Sequence, residues 1–146
     1  MGLMADLGRG PVAIDTAIFI YFIEEHPKFL PLIEPLFREV DRGHMELVTS
    51  ALTLLEVLVV PYRTGDHLLA ARYESLLTRS RGVRIGDISR DLLRAAAQLR
   101  AATGVKTPDS LQLVAALAIG STAFLTNDRD LPKIPGIRIL QLHSYV

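Results

Sequence analysis

Four acidic side chains, Asp15, Glu56, Asp109 and Asp128, stand inside or at the ends of apolar segments, where an unpaired charge is costly. Asp15 closes Val12-Ala13-Ile14 and precedes a second apolar run from Ala17 to Phe22. Glu56 interrupts the run from Leu52 to Val60, Asp109 opens the stretch around Leu111 to Ala116, and Asp128 follows Thr122 to Thr126. No Lys or Arg lies within four residues of Asp15 or Glu56 to pair with either locally. Two carboxylates about 5 Å apart repel by roughly 3 kcal/mol at an effective dielectric of about 20. Acids gathered in one pocket therefore call for a cation. Hard oxygen donors, with no cysteine and no paired histidines beside them, favour Mg²⁺ or Mn²⁺ over Zn²⁺. That combination equips a metal-dependent phosphodiesterase. The histidines (His26, His44, His67 and His143) are dispersed without metal-ligand spacing.

Three of the acids have a plain structural use as well. Asp15 can cap the helix that follows it, Asp109 falls in a first helical turn where the macrodipole favours an anion, and Asp128 can serve the turn Asn127-Asp128-Arg129. Glu56 has least excuse. Leu52 and Val60, one turn to either side, put it beside a buried stripe, and an inward Glu needs a partner or a raised pKa.

The elements that must position these acids alternate. Strands are expected at Val12–Asp15, Glu46–Thr49, Val83–Ile85, Ala123–Thr126 and Ile137–Leu140. Helices are expected over Thr16–Glu25, Phe29–Arg42, Ala51–Pro61, from Asp66 to Ser80, over Ser89–Ala102 and from Thr107 to Gly120. Ser50 can cap the third of these helices, and Thr107-Pro108 reads as an N-cap followed by Pro at the first helical position. Apolar strands alternating with helices argue for an α/β fold, a mostly parallel sheet covered on both faces. In such a sheet ligands bind beyond the carboxyl ends of the strands. Asp15 and Asp128 fall on that edge, and Glu56 and Asp109 start near it.

The chain has 146 residues, 49% of them apolar, which suits one globular domain over residues 11–146 preceded by a short loose leader, residues 1–10. No apolar run approaches the length of a membrane helix. The formal net charge is zero, so composition alone does not announce a nucleic-acid binder. Arg79, Arg81, Arg84, Lys106, Arg129 and Lys133 fall near expected loops and could form a basic rim for a phosphate backbone. The apolar segments Phe29–Phe37 and Leu54–Tyr62 could serve either the core or a partner.

Taken in order, Val12-Ala13-Ile14-Asp15-Thr16, Ser50 through Val57, Lys106 through Gln112 and Phe124 through Leu131 resemble the PIN-domain nucleases. The likeness is greatest to the toxins of VapBC-type toxin–antitoxin pairs, and it covers about residues 11 to 142. Ser110 stands where that family often has Ala. The resemblance implies a three-layer α/β/α sandwich and a Mg²⁺- or Mn²⁺-dependent endoribonuclease giving 5′-phosphate and 3′-hydroxyl ends. It implies metal binding by Asp15, Glu56, Asp109 and Asp128, with Asp130 as a possible further ligand. Thr126, Asn127, Thr16 and Ser50 would orient ligands or water. It also implies a cognate antitoxin, a homodimer and a cytoplasmic setting.

Other readings fit less well. A phosphoacceptor receiver domain, with Asp87 as acceptor and Thr126 as switch, wants paired acids after the first strand and a Lys after the fifth; this chain has Asp15-Thr16 and Gln141-Leu142. A haloacid-dehalogenase-like phosphatase wants a second Asp where Ala17 stands. A non-catalytic PIN-like module binding RNA or protein is the remaining alternative.

Overall fold

The computed structural model describes residues 2–146. Five strands, β1 (Val12–Ile14), β2 (Leu47–Ser50), β3 (Val83–Gly86), β4 (Ala123–Thr126) and β5 (Arg138–Gln141), form one sheet in the order β3-β2-β1-β4-β5. Every pairing is parallel, as the unbroken apolar strands require. β1, β2 and β4 are buried along their whole length. The helices are α1 (Leu3–Leu7), α2 (Thr16–Ile23), α3 (Leu30–Asp41), α4 (Leu52–Thr64), α5 (His67–Arg79), α6 (Arg90–Thr103) and α7 (Thr107–Ile119), with a short 3₁₀ turn at Leu142–Tyr145. Packed on the sheet, they give an α/β sandwich. One large core joins α2, α3, α4 and α5 to the sheet, and smaller clusters lie under α6 and α7.

Two local expectations are revised and one left open is decided. The opening segment is not loose: residues 3–7 form α1, with Leu3 and Leu7 inside the main core, and burial of those two leucines ties it down. Met1 lies outside the described residues. Lys106, not Thr107, is the N-cap of α7, so Thr107 and Pro108 are its first two helical residues; Pro at the second position still forfeits only an amide that has no intrahelical partner. The segment Phe29–Phe37 is core rather than surface, because α3 turns Ile33, Leu36, Phe37 and Val40 inward at helical spacing.

Two prolines are absorbed. α3 continues through Pro35, and α4 runs past Pro61 to Thr64, where Gly65 takes the left-handed conformation that closes the helix. α4 thereby presents Leu55, Val59 and Tyr62 to solvent while Thr53 and Val57 are buried. Among the described residues, no helix is long and apolar enough to cross a membrane.

Candidate active site

Strand register assembles the site. Ile14 pairs with Leu125 and Ala13 with Val48, so one step past the strand Asp15 lies level with Thr126 on one side and Ser50 on the other. Ser50 pairs with Gly86 and Thr126 with Gln141, which completes a row across the carboxyl edge of the sheet.

Asp15 does two things there. Its Oδ1 accepts from the Ala17 amide at 3.0 Å, capping α2, and its Oδ2 receives the Thr126 hydroxyl. Burial nonetheless dominates and pushes the Asp15 pKa up to about 6, against those hydrogen bonds and with some help from the charge of Asp109. Asp109 enters from the first turn of α7. Burial raises its pKa, the neighbouring charges of Asp128 and Glu56 raise it further, and Lys106 opposes them. Asp109 is thus the electrostatic meeting point of Asp15, Glu56 and Asp128.

Glu56 is carried inward by α4, where its Oε1 accepts the Thr16 hydroxyl at 2.6 Å. Asp128 sits in a tight turn: its amide donates to Thr126 Oγ1 at 3.0 Å and its Oδ1 accepts from the Asp130 amide at 2.9 Å. The side chain of Gln141 clamps the Asp128 carbonyl at 2.8 Å. Asn127 spans from the Tyr21 hydroxyl (3.3 Å) to the His143 amide (3.0 Å), fastening the same turn to α2 and to the last 3₁₀ turn. Ser50 Oγ accepts from the Leu52 amide at 3.1 Å and so steadies the start of α4. Asp130 is exposed and lines, with Asp109, Asp128 and Lys106, a cleft of about 320 Å³ walled by Val105, Leu131 and Pro132. A larger hollow between α3 and the start of β3 contains no such gathering of acids.

None of the four acids takes part in an ion pair among the described residues. Their oxygens are hard donors of the kind Mg²⁺ or Mn²⁺ takes. No three of the described acids and histidines converge into a ready-made metal cage.

The basic rim expected from sequence splits. Lys106 faces Asp109 and Arg129 follows Asp128, but Arg79 and Arg81 lie with Gly82 before β3, and Arg84 pairs with Glu46 before β2. Lys133 lies with Arg138 at the start of β5. In a parallel sheet Arg79, Arg81 and Arg84 belong to the amino edge, opposite the acids.

Sequence reading missed Gln112, Thr53 and Thr49. All three are buried and hydrogen-bonded beneath Thr16 and Ser50. A signal was available: Gln112 is three residues after Asp109 and Thr53 three before Glu56, which puts each polar side chain on its acid's helix face amid aliphatics.

The sequence model of the PIN domain matches residues 12–137, most of the chain and all four acids. The chain belongs to the PIN-domain family. Solved PIN structures superpose over nearly all of it. The VapBC2 complex of Rickettsia felis bound to a promoter DNA fragment aligns at 18% identity and TM-score 0.69, covering 89% of this chain and 97% of that one. A toxin–antitoxin complex from Klebsiella pneumoniae aligns at 22% identity and TM-score 0.64, covering 86% and 94%. VapC20 of Mycobacterium tuberculosis, a toxin that cleaves the sarcin–ricin loop, aligns at 16% identity and TM-score 0.65, covering 82% and 91%. At such identities the likeness establishes the PIN fold. No curated protein sequence matches the chain.

Proposed function

We propose that this PIN domain is a Mg²⁺- or Mn²⁺-dependent endoribonuclease and the toxin of a VapBC-type pair. One observation carries the reading: four segments far apart in sequence bring Asp15, Glu56, Asp109 and Asp128 to one edge of the sheet, where burial and neighbouring acids raise the pKa of Asp15 and Asp109 and, among the described residues, none of the four has an ion pair. A bound divalent ion would supply Lewis-acid polarisation of the scissile phosphate and a water of lowered pKa. The residues that would hold it are the same four acids, with Asp130 at the rim as a further oxygen donor.

The protein's own groups prepare that chemistry. Thr126 fixes Asp15 through its hydroxyl and Asp128 through the backbone amide, so one side chain sets two acids. Thr16 fixes Glu56. Asn127 and Gln141 hold the turn that carries Asp128. Lys106 and Arg129 stand where an RNA phosphate could be met, and the cleft beside Asp109 and Asp128 can seat a neighbouring nucleotide. Partnership with an antitoxin draws support from the toxin–antitoxin complexes of the same fold and from the solvent-facing stripe Leu55, Val59 and Tyr62 on α4, the helix that carries Glu56. A homodimer working in the cytoplasm belongs to the same reading.

The decisive assay incubates total cellular RNA with the purified protein and Mg²⁺ or Mn²⁺, beside Asp15→Asn. Fragments with 5′-phosphate ends, made by the parent protein and not by the variant, are expected. Equal cleavage by both would end the proposal. A non-catalytic PIN-like module, which the neutral net charge favours, should show no saturable Mn²⁺ binding that depends on Glu56.

A further inference from the structure

Gln112 lies on α7, 4% exposed, in a layer otherwise filled by Leu111, Leu113 and Val114. A buried amide needs partners for two donors and an acceptor, and Gln112 has them all. Its Oε1 accepts from the Ser50 amide and from Thr49 Oγ1, both at 3.3 Å. Its Nε2 donates to Thr53 Oγ1 at 2.6 Å and to Thr16 Oγ1 at 3.3 Å.

The backbone settles which way this amide points. The Ser50 N–H can only donate, so the atom facing it must be the oxygen, and the NH₂ must face Thr53 and Thr16. The three threonine hydroxyls gather around the fixed amide, with Thr16 Oγ1 and Thr53 Oγ1 also 3.0 Å apart. Thr53, having accepted from Gln112, lies 2.8 Å from Thr49 and 3.0 Å from Thr16 as acceptors for its own proton, and Thr49 donates to Gln112 Oε1. That closes a ring. The second Gln112 hydrogen occupies a lone pair of Thr16, and the Thr16 proton is directed out of the ring onto Glu56 Oε1 at 2.6 Å.

We propose that Gln112 is a positioning residue for Glu56. A carboxylate can only accept, so Thr16 donates to Glu56. The Gln112 amide, fixed by the Ser50 backbone, holds the Thr16 and Thr53 oxygens through its two N–H groups and so fixes where that donor stands. The Glu56 carboxylate is thereby held in one orientation through Oε1, while among the described residues Oε2 has no hydrogen-bond partner and is left for the site. This inference rests on the metal-site reading above and adds to it a residue that touches no acid directly.

The test measures binding of Mn²⁺ alone by calorimetry, with circular dichroism to confirm folding. Gln112→Leu and Thr16→Val should each weaken Mn²⁺ binding by about 10- to 100-fold, the range seen when a ligand loses its supporting partner. The double variant should be no weaker than the worse single one, because both break the same relay. Thr16→Ser, which keeps the hydroxyl, should restore binding. In the metal-free parent protein, the Gln112 side-chain NH₂ protons should exchange slowly with water by NMR, and their signals should move in Thr16→Val. This last readout decides the matter even where Gln112→Leu fails to fold. Parental Mn²⁺ affinity in folded Gln112→Leu, additive effects in the double variant, or fast-exchanging Gln112 amide protons would each overturn the proposal. Glu56→Gln separates the two levels. If it leaves Mn²⁺ binding unchanged, the metal reading itself falls; if it abolishes binding while Gln112→Leu does not, only the role of Gln112 falls.

Discussion

The two edges of the sheet handle acidity in opposite ways. Along the amino edge three acids have an arginine at hand: Glu34 pairs with Arg38 at 2.8 Å, Glu39 with Arg42 at 3.8 Å, and Glu46 with Arg84 at 3.1 Å, all in partly exposed positions. Along the carboxyl edge Asp15, Glu56 and Asp128 have hydroxyls and amides for partners, and neither they nor Asp109 form a salt bridge among the described residues. Those three charges are neutralised within the chain on the amino edge. Charge on the carboxyl edge is left open, at a cost in stability, and that is what a cation-binding site requires of its host.

The sharpest way to break this contrast is to neutralise one carboxyl-edge acid. Asp15→Asn or Glu56→Gln should lower RNA cleavage by at least the ~100-fold that loss of supporting contacts alone can carry, with the fold retained by circular dichroism. Parental rates in both variants would make the two edges equivalent after all.

A second effect has the opposite sign. With its pKa raised from 3.8 to about 6, Asp15 stabilises the metal-free fold only while protonated; that contribution is full below about pH 3.8 and is lost as pH rises through about 6. The loss is at most about 3 kcal/mol, from 1.36 kcal/mol per unit. Metal-free Asp15→Asn should therefore be more stable than the parent above pH 7, by up to about 3 kcal/mol in urea unfolding, and the gap should close near pH 4. A variant less stable than its parent at pH 8 would count against buried charge at Asp15.

Third, Mg²⁺ or Mn²⁺ should raise the melting temperature more at pH 7.5 than at pH 5, because below about 6 the ion must displace a proton from Asp15. A pH-independent shift would point to binding elsewhere. The smallest effect belongs to the amino edge: Arg84→Ala, which breaks a half-exposed pair, should cost less than about 1 kcal/mol, fade in high salt and leave cleavage untouched.

The architecture was legible because its causes are local and periodic. Apolar strands between amphipathic helices leave little besides a parallel sheet covered on both faces, and the four acids announced themselves by interrupting apolar runs. What escaped has physical reasons too. The order β3-β2-β1-β4-β5 decides which loops share an edge, so Arg79, Arg81 and Arg84 could not be told from Lys106 and Arg129 by sequence position. Burial of Leu3 and Leu7 depends on a pocket made by distant elements. Gln112, Thr53 and Thr49 are uncharged, so their enclosure raises no alarm in a linear reading. Their importance appears only when their hydrogen bonds are followed.

The placement of β1 between β2 and β4 also bears on when the centre can exist during synthesis. β2 is made about 35 residues after β1, but β4 follows more than 100 residues later. Pairing over such a separation comes late, because the chain between must be closed before the contact rewards it. A ribosome-bound chain still lacking β4 has Asp15 and Glu56 but neither Thr126 nor Asp128. The cluster of acids is therefore incomplete throughout most of translation and is completed only when the fourth strand docks.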